Sequence, residues 1–454
     1  MGIDIKQLGR LGSAIAAIGA SGIMAPAIAV SGYGAIGPLG PQLRLSATSL
    51  LVTQKIQDSI IHHDQGVKGN MPQSPPQSSL EYTSAQQVKI TGSAQLTALQ
   101  SARDTSAKGG SPQAAPGSIP GVEQRRQTVV VDGIGFPTDS FTVDLRRSNL
   151  ALRPIWTTPS TVPGLTPLTT LAAQWQAAIA INAGFFNRNN RLPLGAIRTN
   201  GQWISGPILG RGAIAWSDTG EIYIGRLALE QILTTESGQQ FSIQAINSGY
   251  VQAGVGLYTP AWGAAYTPVL DNETIVVIAG NQVVRHQAGG AAGSSTVPIP
   301  NNGFVLAVRA YRAAVNAMPP GMVLSIASTT IPDIFDAYPH AVGGGPLLLV
   351  NNTVVLNPQA EQFSQAFASQ SAARSAVGKT ADGRLMMVTV SPQAGGRGPT
   401  LRQLAGIMQA LGNTDALNLD GGSSSSLYAN GTLVNRSPQS AARVNSGLGV
   451  FVAP

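Results

Sequence analysis

Asn418-Leu-Asp-Gly-Gly-Ser-Ser-Ser-Ser-Leu427 continues an apolar run from Ala416, setting one carboxylate, Asp420, before two glycines and four serines. Such a run is poor helix and poor core. Gly421 and Gly422 let the main chain turn sharply and approach a ligand closely. The amides and hydroxyls of Gly422, Ser423, Ser424 and Ser425 can donate to phosphate or sugar oxygens. Asp420 at the mouth of this loop either acts on what the loop holds or caps the turn through its own side chain.

The surroundings of the loop set the fold class. Leu401, Leu404, Met408 and Leu411 share one face of a helix over 400–411 that leads straight into the strand before Asp420. Upstream, apolar and β-branched runs predict strands at 128–132, 141–145, 149–155 and 177–182, with a short helix over 167–176. For that helix Thr166 is the expected N-cap and Pro167 the first residue. Further strands are expected at 213–216, 221–225, 241–246, 274–279, 304–309, 322–326, 346–350 and 385–390, with Asp382-Gly383 turning a hairpin. Many strands, few helices and no regular βαβ alternation argue an α+β fold with mixed β-sheets.

The bulk numbers narrow the function. Charged residues are only 11% of the 454, and the net charge of +7 is scattered, with no basic run interleaved with aromatics, so nucleic acid is not the expected partner. Of the 28 basic residues 22 are arginine, and Lys379 is the only lysine after Lys108. Arginine suits bidentate capture of phosphate or carboxylate, although codon bias gives the same skew. With no cysteine, thiolate metal sites and cysteine nucleophiles are excluded. No cofactor or metal site is expected, since acids and histidines do not cluster at ligand spacing; His62 and His63 stand in a polar tract.

Three regions follow. Residues 1–30 run basic, apolar, small (Lys6 and Arg10, then Leu11 to Val30), in the order of a secretory signal, and too interrupted by glycine and serine for a stable membrane span. Residues 31–124 form a linker of low complexity rich in Gln, Ser, Pro, Ala and Gly. Residues 125–454 are expected to form the single catalytic domain, and export to the periplasm, cell surface or medium is the expected location.

Three more motifs bear on chemistry. In Ile181-Asn-Ala-Gly-Phe-Phe-Asn187, Asn182 offers an amide beside two rings, Phe185 and Phe186, which suits a sugar; an ordinary strand end with core aromatics is the alternative. In Pro339-His-Ala-Val-Gly-Gly-Gly-Pro346, the glycines Gly343, Gly344 and Gly345 allow close backbone approach, and His340 is an acid, a base, a phosphate donor or a structural histidine. Arg374, at the head of the strand Ala373-Arg-Ser-Ala-Val-Gly378, is the best single candidate for holding an anion.

Together these motifs resemble the phosphodiester glycosidase family. The matching positions are Asn182 to Phe186, Gly343 to Leu347, Arg374 to Gly378 with serine at 375, and Asn418 onward with Ser423 where the family has a third glycine. Arg443-Val-Asn-Ser-Gly-Leu-Gly-Val-Phe451 resembles the family's final strand. The resemblance implies a hydrolase that removes a GlcNAc-like sugar from a sugar-1-phosphodiester, leaving free sugar and a phosphomonoester. It implies Asp420 and Arg374 as catalytic groups and Asn182 as the group that orients the sugar. No second acid is pinned by a motif; Asp333, Asp336, Glu361 and Asp382 all qualify. Two other readings are a non-catalytic cell-envelope module gripping an anionic polysaccharide and a phosphodiesterase.

Overall fold

The computed structural model describes residues 119–453. The predicted signal segment, nearly all of the linker, and His62 and His63 lie outside the described residues. Regular structure starts at Val122, slightly before the expected boundary at 125.

Four sheets carry the described part, and the only parallel pairing among their strands joins Gln240–Ile246 to Gly254–Tyr258. The fold is thus more β-rich and more antiparallel than the expected mixed-sheet α+β arrangement. The first sheet has seven strands in the order Val122–Val131, Ile134–Val143, Leu385–Val390, Arg374–Thr380, Asn413–Asn418, Leu347–Val350 and Thr353–Val354. Its central strands are buried on both faces: Ala376 and Ala416 face one cluster, Val377 and Leu417 the other. That is the alternation a two-sided core demands.

On one face lies helix α2 (Leu401–Ala410), following helix α1 (Leu168–Trp175) in chain order. In α2, Leu404, Ile407 and Met408 are buried against Met386, Val388 and Ala416. Thr400 starts α2 with a reciprocal capping box to Gln403, which satisfies two otherwise orphaned groups. The expected cap of α1 does not form: Thr166 pairs with Val444 as an isolated bridge, and Pro167 occupies the N-cap without a side-chain bond.

On the other face, Phe141, Val143, Leu385, Met387 and Leu417 pack against two five-stranded sheets. The second sheet runs Thr432–Leu433, Leu427–Ala429, Ile179–Asn182, Ser446–Val452, Leu150–Trp156, with α1 on its outside. The third runs Ile222–Arg226, Gly212–Trp216, His340–Gly343, Ile197–Thr199, Gln202–Ser205. The fourth, of seven strands drawn from residues between 228 and 331, has its own core of Leu233, Val255, Val276, Leu306 and Leu324.

The glycine run 343–345 is the crossover between the third and first sheets, from His340–Gly343 to Leu347–Val350. A Cβ on Gly344 would sit 2.6 Å from the Asn418 carbonyl oxygen, and one on Gly343 2.7 Å from the Ala196 nitrogen. The Gly345 N–H donates to the Asn418 carbonyl at 2.7 Å, and Asn418 Nδ2 donates back to the Gly345 carbonyl at 2.7 Å. Gly343 and Gly344 are thus held to glycine by close backbone of neighbouring segments, Ala196 and Asn418, and Gly345 by its left-handed φ of +117° beside Glu361 and Phe363.

Candidate functional site

Register explains how the acid and the arginine meet. The strands Arg374–Thr380 and Asn413–Asn418 are antiparallel, with Ala376 opposite Asn418. Continuing that pairing by two residues sets Arg374 opposite Asp420. The Leu419 N–H donates to the Ser375 carbonyl at 2.9 Å and the Gly422 N–H to the Ala373 carbonyl at 2.7 Å, so the pairing does extend past the strand end. The Asp420 N–H donates to the Ala183 carbonyl of the second sheet at 3.0 Å, which seats the loop across the ends of two sheets.

The resulting cleft has a volume of about 570 Å³, within the usual range of small-molecule sites. Asp420, Gly421, Gly422, Ser423 and Ser424 form one side; Phe185, Phe186, Phe367, Gln370 and Arg374 face it, with Arg188, Arg443, Ala442 and Leu165 at its margins. Asp420 is the only acid among these lining residues. The four alternative partner acids named from sequence, Asp333, Asp336, Glu361 and Asp382, do not line the cleft. Glu361 is buried and accepts from the Gly212 and Leu347 amides, both at 2.7 Å, which makes it a structural bracket for the crossover.

Asp420 is partly open to the cleft and packed by protein on its other sides. Burial pushes its carboxyl up to about 6, against the opposing pull of a Ser424 side-chain hydrogen bond, the Gly421 amide, Arg188 and Arg374. The same burial brings the Arg374 guanidinium down to about 10, with Asp420 pulling the other way. Arg374 is 1% exposed. Its Nε donates to the Pro399 carbonyl at 3.3 Å, Nη2 donates to the Gln370 carbonyl, and the guanidinium lies 5.6 Å from the Phe367 ring centre. Nη1 is left for the cleft and would lie 3.7 Å from a Cβ on Gly421. The left-handed Gly422 (φ +63) has nothing within 4 Å of its missing side chain, so its face of the loop is open.

The predicted cradle is only partly available. The amides of Gly422, Ser424 and Ser425 are spent on carbonyls of Ala373, Gly421 and Gly422. The Ser423 N–H is the one loop amide from Gly421 to Ser425 without a partner among the described residues, and Ser423 is exposed. Ser425 is buried and outside the lining. Arg436, which sequence reasoning missed, holds the loop from behind by donating to the Gly422, Ser423 and Ser425 carbonyls at 3.2, 2.9 and 3.1 Å.

Two expected site residues are moved elsewhere. Asn182 is fully buried. Its Nδ2 donates to the Asp420 carbonyl at 2.7 Å, and its Oδ1 accepts from Ser375 Oγ at 2.7 Å and from the Ser426 N–H at 3.0 Å. It cannot touch a sugar; it ties the acid's backbone to two sheets. His340 is also fully buried. Its ring stacks on Trp216 at 5.6 Å, with Thr199 Oγ1 at Nδ1 and Asp218 at Nε2, both at 3.2 Å. Burial lowers its pKa despite Asp218, and it lies outside the cleft lining. Gly343, Gly344 and Gly345 serve the crossover and do not line the cleft either.

The aromatic wall is larger than the expected pair. Phe185 meets Phe363 at 5.5 Å and Phe367 at 5.8 Å, and Phe363 stacks on Phe367 at 4.9 Å. Arg211 closes the back of this wall, 4.0 Å from the Phe363 ring centre. Arg188 was the one missed lining residue with a readable signal. It opens the turn that directly follows the strand Phe185–Phe186, next to the motif already singled out.

An acid among arginines beside an aromatic wall makes a cleft suited to anionic sugar derivatives. Residues 272–451 match the family model of the phosphodiester glycosidases. The matched stretch includes Arg374, the Asp420 loop and Arg443, and leaves Asn182 to Phe186 outside it. A hypothetical protein from Synechocystis is similar at 42% identity and a TM-score of 0.72 over 75% of this chain, which spans 65% of that protein. A candidate exported protein from Burkholderia pseudomallei shares the fold at 21% identity and a TM-score of 0.58, over 70% of this chain and 74% of its own. The zebrafish N-acetylglucosamine-1-phosphodiester alpha-N-acetylglucosaminidase catalytic domain, auto-inhibited by its pro-peptide, aligns at 15% identity and a TM-score of 0.37 over 74% of this chain and 84% of its own. No curated protein matches.

Proposed function

We propose that this protein hydrolyses a sugar-1-phosphodiester, with a GlcNAc-like sugar, to free sugar and a phosphomonoester. The observation that carries the proposal is Asp420 as sole acid in a cleft lined by Arg188, Arg374 and Arg443. An ordinary glycoside needs one carboxyl to protonate the leaving oxygen and another to assist at the anomeric carbon. A phosphomonoester is a good leaving group and needs little protonation, so a single acid suffices. The requirement shifts to neutralising phosphate, which three arginines supply.

In this scheme the anomeric C–O bond breaks and its electron pair leaves on phosphate oxygen. Arg374 Nη1, the exposed Arg188 and Arg443, and the Ser423 N–H take up that charge. Ionised Asp420 stabilises the positive anomeric carbon. Water then supplies oxygen to that carbon, and its proton leaves through Asp420 to solvent. Asn182 acts only by positioning the Asp420 backbone. The aromatic wall offers an apolar face for sugar C–H groups. The choice of GlcNAc rests on the family resemblance.

We take residues 125–454 as the catalytic domain and an exported location from the order of the first thirty residues. Phosphorus NMR of the protein with GlcNAc-1-phosphate methyl ester tests the reaction. Methyl phosphate and free GlcNAc are expected. GlcNAc-1-phosphate with methanol would make the protein a phosphodiesterase, and no turnover with retained binding would make it a glycan-binding module.

A further inference from the structure

The first sheet carries another cleft, of about 380 Å³, at the end of its central strands away from Asp420. Arg374 opens the strand Arg374–Thr380, and Thr380, which lines this cleft, closes it; at ~3.3 Å per residue the two sites lie about 20 Å apart. Register sets the cleft walls. Along Ile134–Val143, Phe141 and Val143 point into the core, so Ser140 and Thr142 point to the opposite face. There Ala410, Leu411 and Gly412, at the C-terminal end of α2, close the cleft. Ser140 stands opposite Arg125, and Thr142 between Glu123 and Met386. Four charges of alternating sign cross this surface: Arg384 Nε donates to Asp382 at 2.6 Å, Arg384 Nη1 to Glu123 at 2.8 Å, and Arg125 Nη2 to the other Glu123 oxygen at 3.3 Å.

We propose that this remote cleft is a binding site for a short neutral carbohydrate unit, one that takes no part in the reaction at Asp420. Ser140 and Thr142 are only 3% and 5% exposed, yet neither hydroxyl has a hydrogen-bond partner among the described residues. Neither is sealed from solvent, so what each hydroxyl still reaches is the cleft. The exposed Gln127 amide on the same wall, also without a partner among the described residues, adds a donor and an acceptor. The charges do not select an ion. Two acids and two arginines cancel and are paired with one another. The carbonyl end of α2 and the two carboxylates disfavour an anion, and the two guanidinium groups disfavour an amine. Carboxylate and guanidinium held side by side match neighbouring sugar hydroxyls, which donate to one and accept from the other. Met386 and Leu411 supply a small apolar surface for ring C–H groups, and the volume is at the small end of ligand sites, which limits the unit to a short one.

The test titrates N,N′-diacetylchitobiose, maltose and inorganic phosphate into the wild type and into the double variant Ser140→Ala, Thr142→Val, followed by saturation-transfer NMR for the sugars and calorimetry for phosphate. Saturable binding of at least one disaccharide is expected in the wild type, weakened at least about tenfold in the double variant, which loses two hydrogen-bonding groups. Circular dichroism and the melting temperature show whether the double variant has kept its fold. If it has not, Gln127→Ala, exposed on the edge strand Val122–Val131, takes its place, with an expected weakening of about fivefold. Three results would overturn the proposal: no saturable binding of either disaccharide, disaccharide binding that is unchanged in the folded variant, or phosphate binding that the variant removes. None of these readings depends on turnover, so failure of the phosphodiester reaction at Asp420 and failure of this site are separate outcomes.

Discussion

Replacing Asp420 by Asn is expected to abolish turnover and, at neutral pH, to stabilise the fold. The carboxyl has a folded-state value of about 6 against an ordinary 3.8, and burial is the largest cause. A group whose pKa is raised by folding contributes stability that is fully present below 3.8 and is lost as pH climbs through about 6. At pH 8 the native protein therefore carries an ionised group that the fold disfavours. At 1.36 kcal/mol per pH unit, the gap from 3.8 to about 6 sets a ceiling of about 3 kcal/mol. Asp420 is partly open to solvent, so we halve this to about 1–2 kcal/mol. Asn keeps an oxygen for the Gly421 amide, 3.0 Å away, and never ionises. The attraction it forgoes, to Arg188 and Arg374, ranks below burial among the causes of the shift.

The assay is thermal unfolding of both proteins at pH 4.0 and pH 8.0. Asp420→Asn is expected to melt a few degrees higher at pH 8.0, following about 2–4 °C per kcal/mol in domains of 150–250 residues. The gain is expected to shrink towards zero at pH 4.0, where the folded carboxyl is almost wholly protonated and the unfolded one is already about 40% protonated. A lower melting temperature for the variant at pH 8.0 would refute the reasoning, as would an equal gain at both pH values. Either result would mean that the Asp420 carboxylate is a stabilising ion-pair partner and not a group held at a cost for chemistry.

Four further outcomes are expected. Below pH 6, kcat/KM should fall about tenfold per pH unit as Asp420 is protonated, since its ionised form is the working one; a rate that rises with acid would assign it the opposite role. Arg374→Ala should reduce turnover at least ~100-fold while the protein still folds, measured on the methyl ester with circular dichroism as the control. Gly344→Ala should destabilise by at least about 2 kcal/mol in urea, because its Cβ would meet the Asn418 carbonyl at 2.6 Å and backbone cannot swing aside as a side chain can. Glu361→Gln should destabilise by about 2–3 kcal/mol with kcat/KM of the folded protein unchanged, since an amide has one acceptor for the two N–H groups of Gly212 and Leu347.

What could be read from sequence follows from how local each signal was. Helix α2 and the strand after it were legible because an apolar face repeats within one or two turns. The strand Ala228–Thr235 was missed: Ala-Leu-Glu-Gln-Ile-Leu is a run of good helix formers, yet it pairs along its length with Leu324–Ile331. Gly254–Tyr258 was hidden by its glycines, although Gly256 is small because a Cβ would lie 2.7 Å from Arg309 Nη1. In the site, Asp420 and Arg374 were legible because each ends an apolar strand at its polar limit. Asn182 was placed on the wrong side of the wall, since a strand-end amide reads the same whether it faces ligand or bracket. Phe367 and Arg436 gave no signal: one sits in a five-residue helix, Gln365–Ser369, too short to show a periodic face, the other reaches backbone carbonyls that any loop presents.

The two glycine-rich stretches show why composition alone cannot separate scaffold from site. Both precede or follow apolar strands, and both resemble family motifs. At Gly343 and Gly344 an added Cβ meets backbone of a neighbouring strand within 2.7 Å; at Gly422 it meets nothing within 4 Å. The first pair is glycine because the core has closed around it, the second because the cleft has not. The same division extends to the charges. Asp420 and Arg374 are brought opposite each other by the register of the buried central strands of the first sheet, and separating them would break the hydrogen bonds that extend that pairing. Arg188 and Arg443 stand exposed on segments outside the strands. In the proposed reaction the acid and its arginine are therefore set by the core, while the remaining cationic contacts are left to loops that substitutions can alter at little cost to the fold.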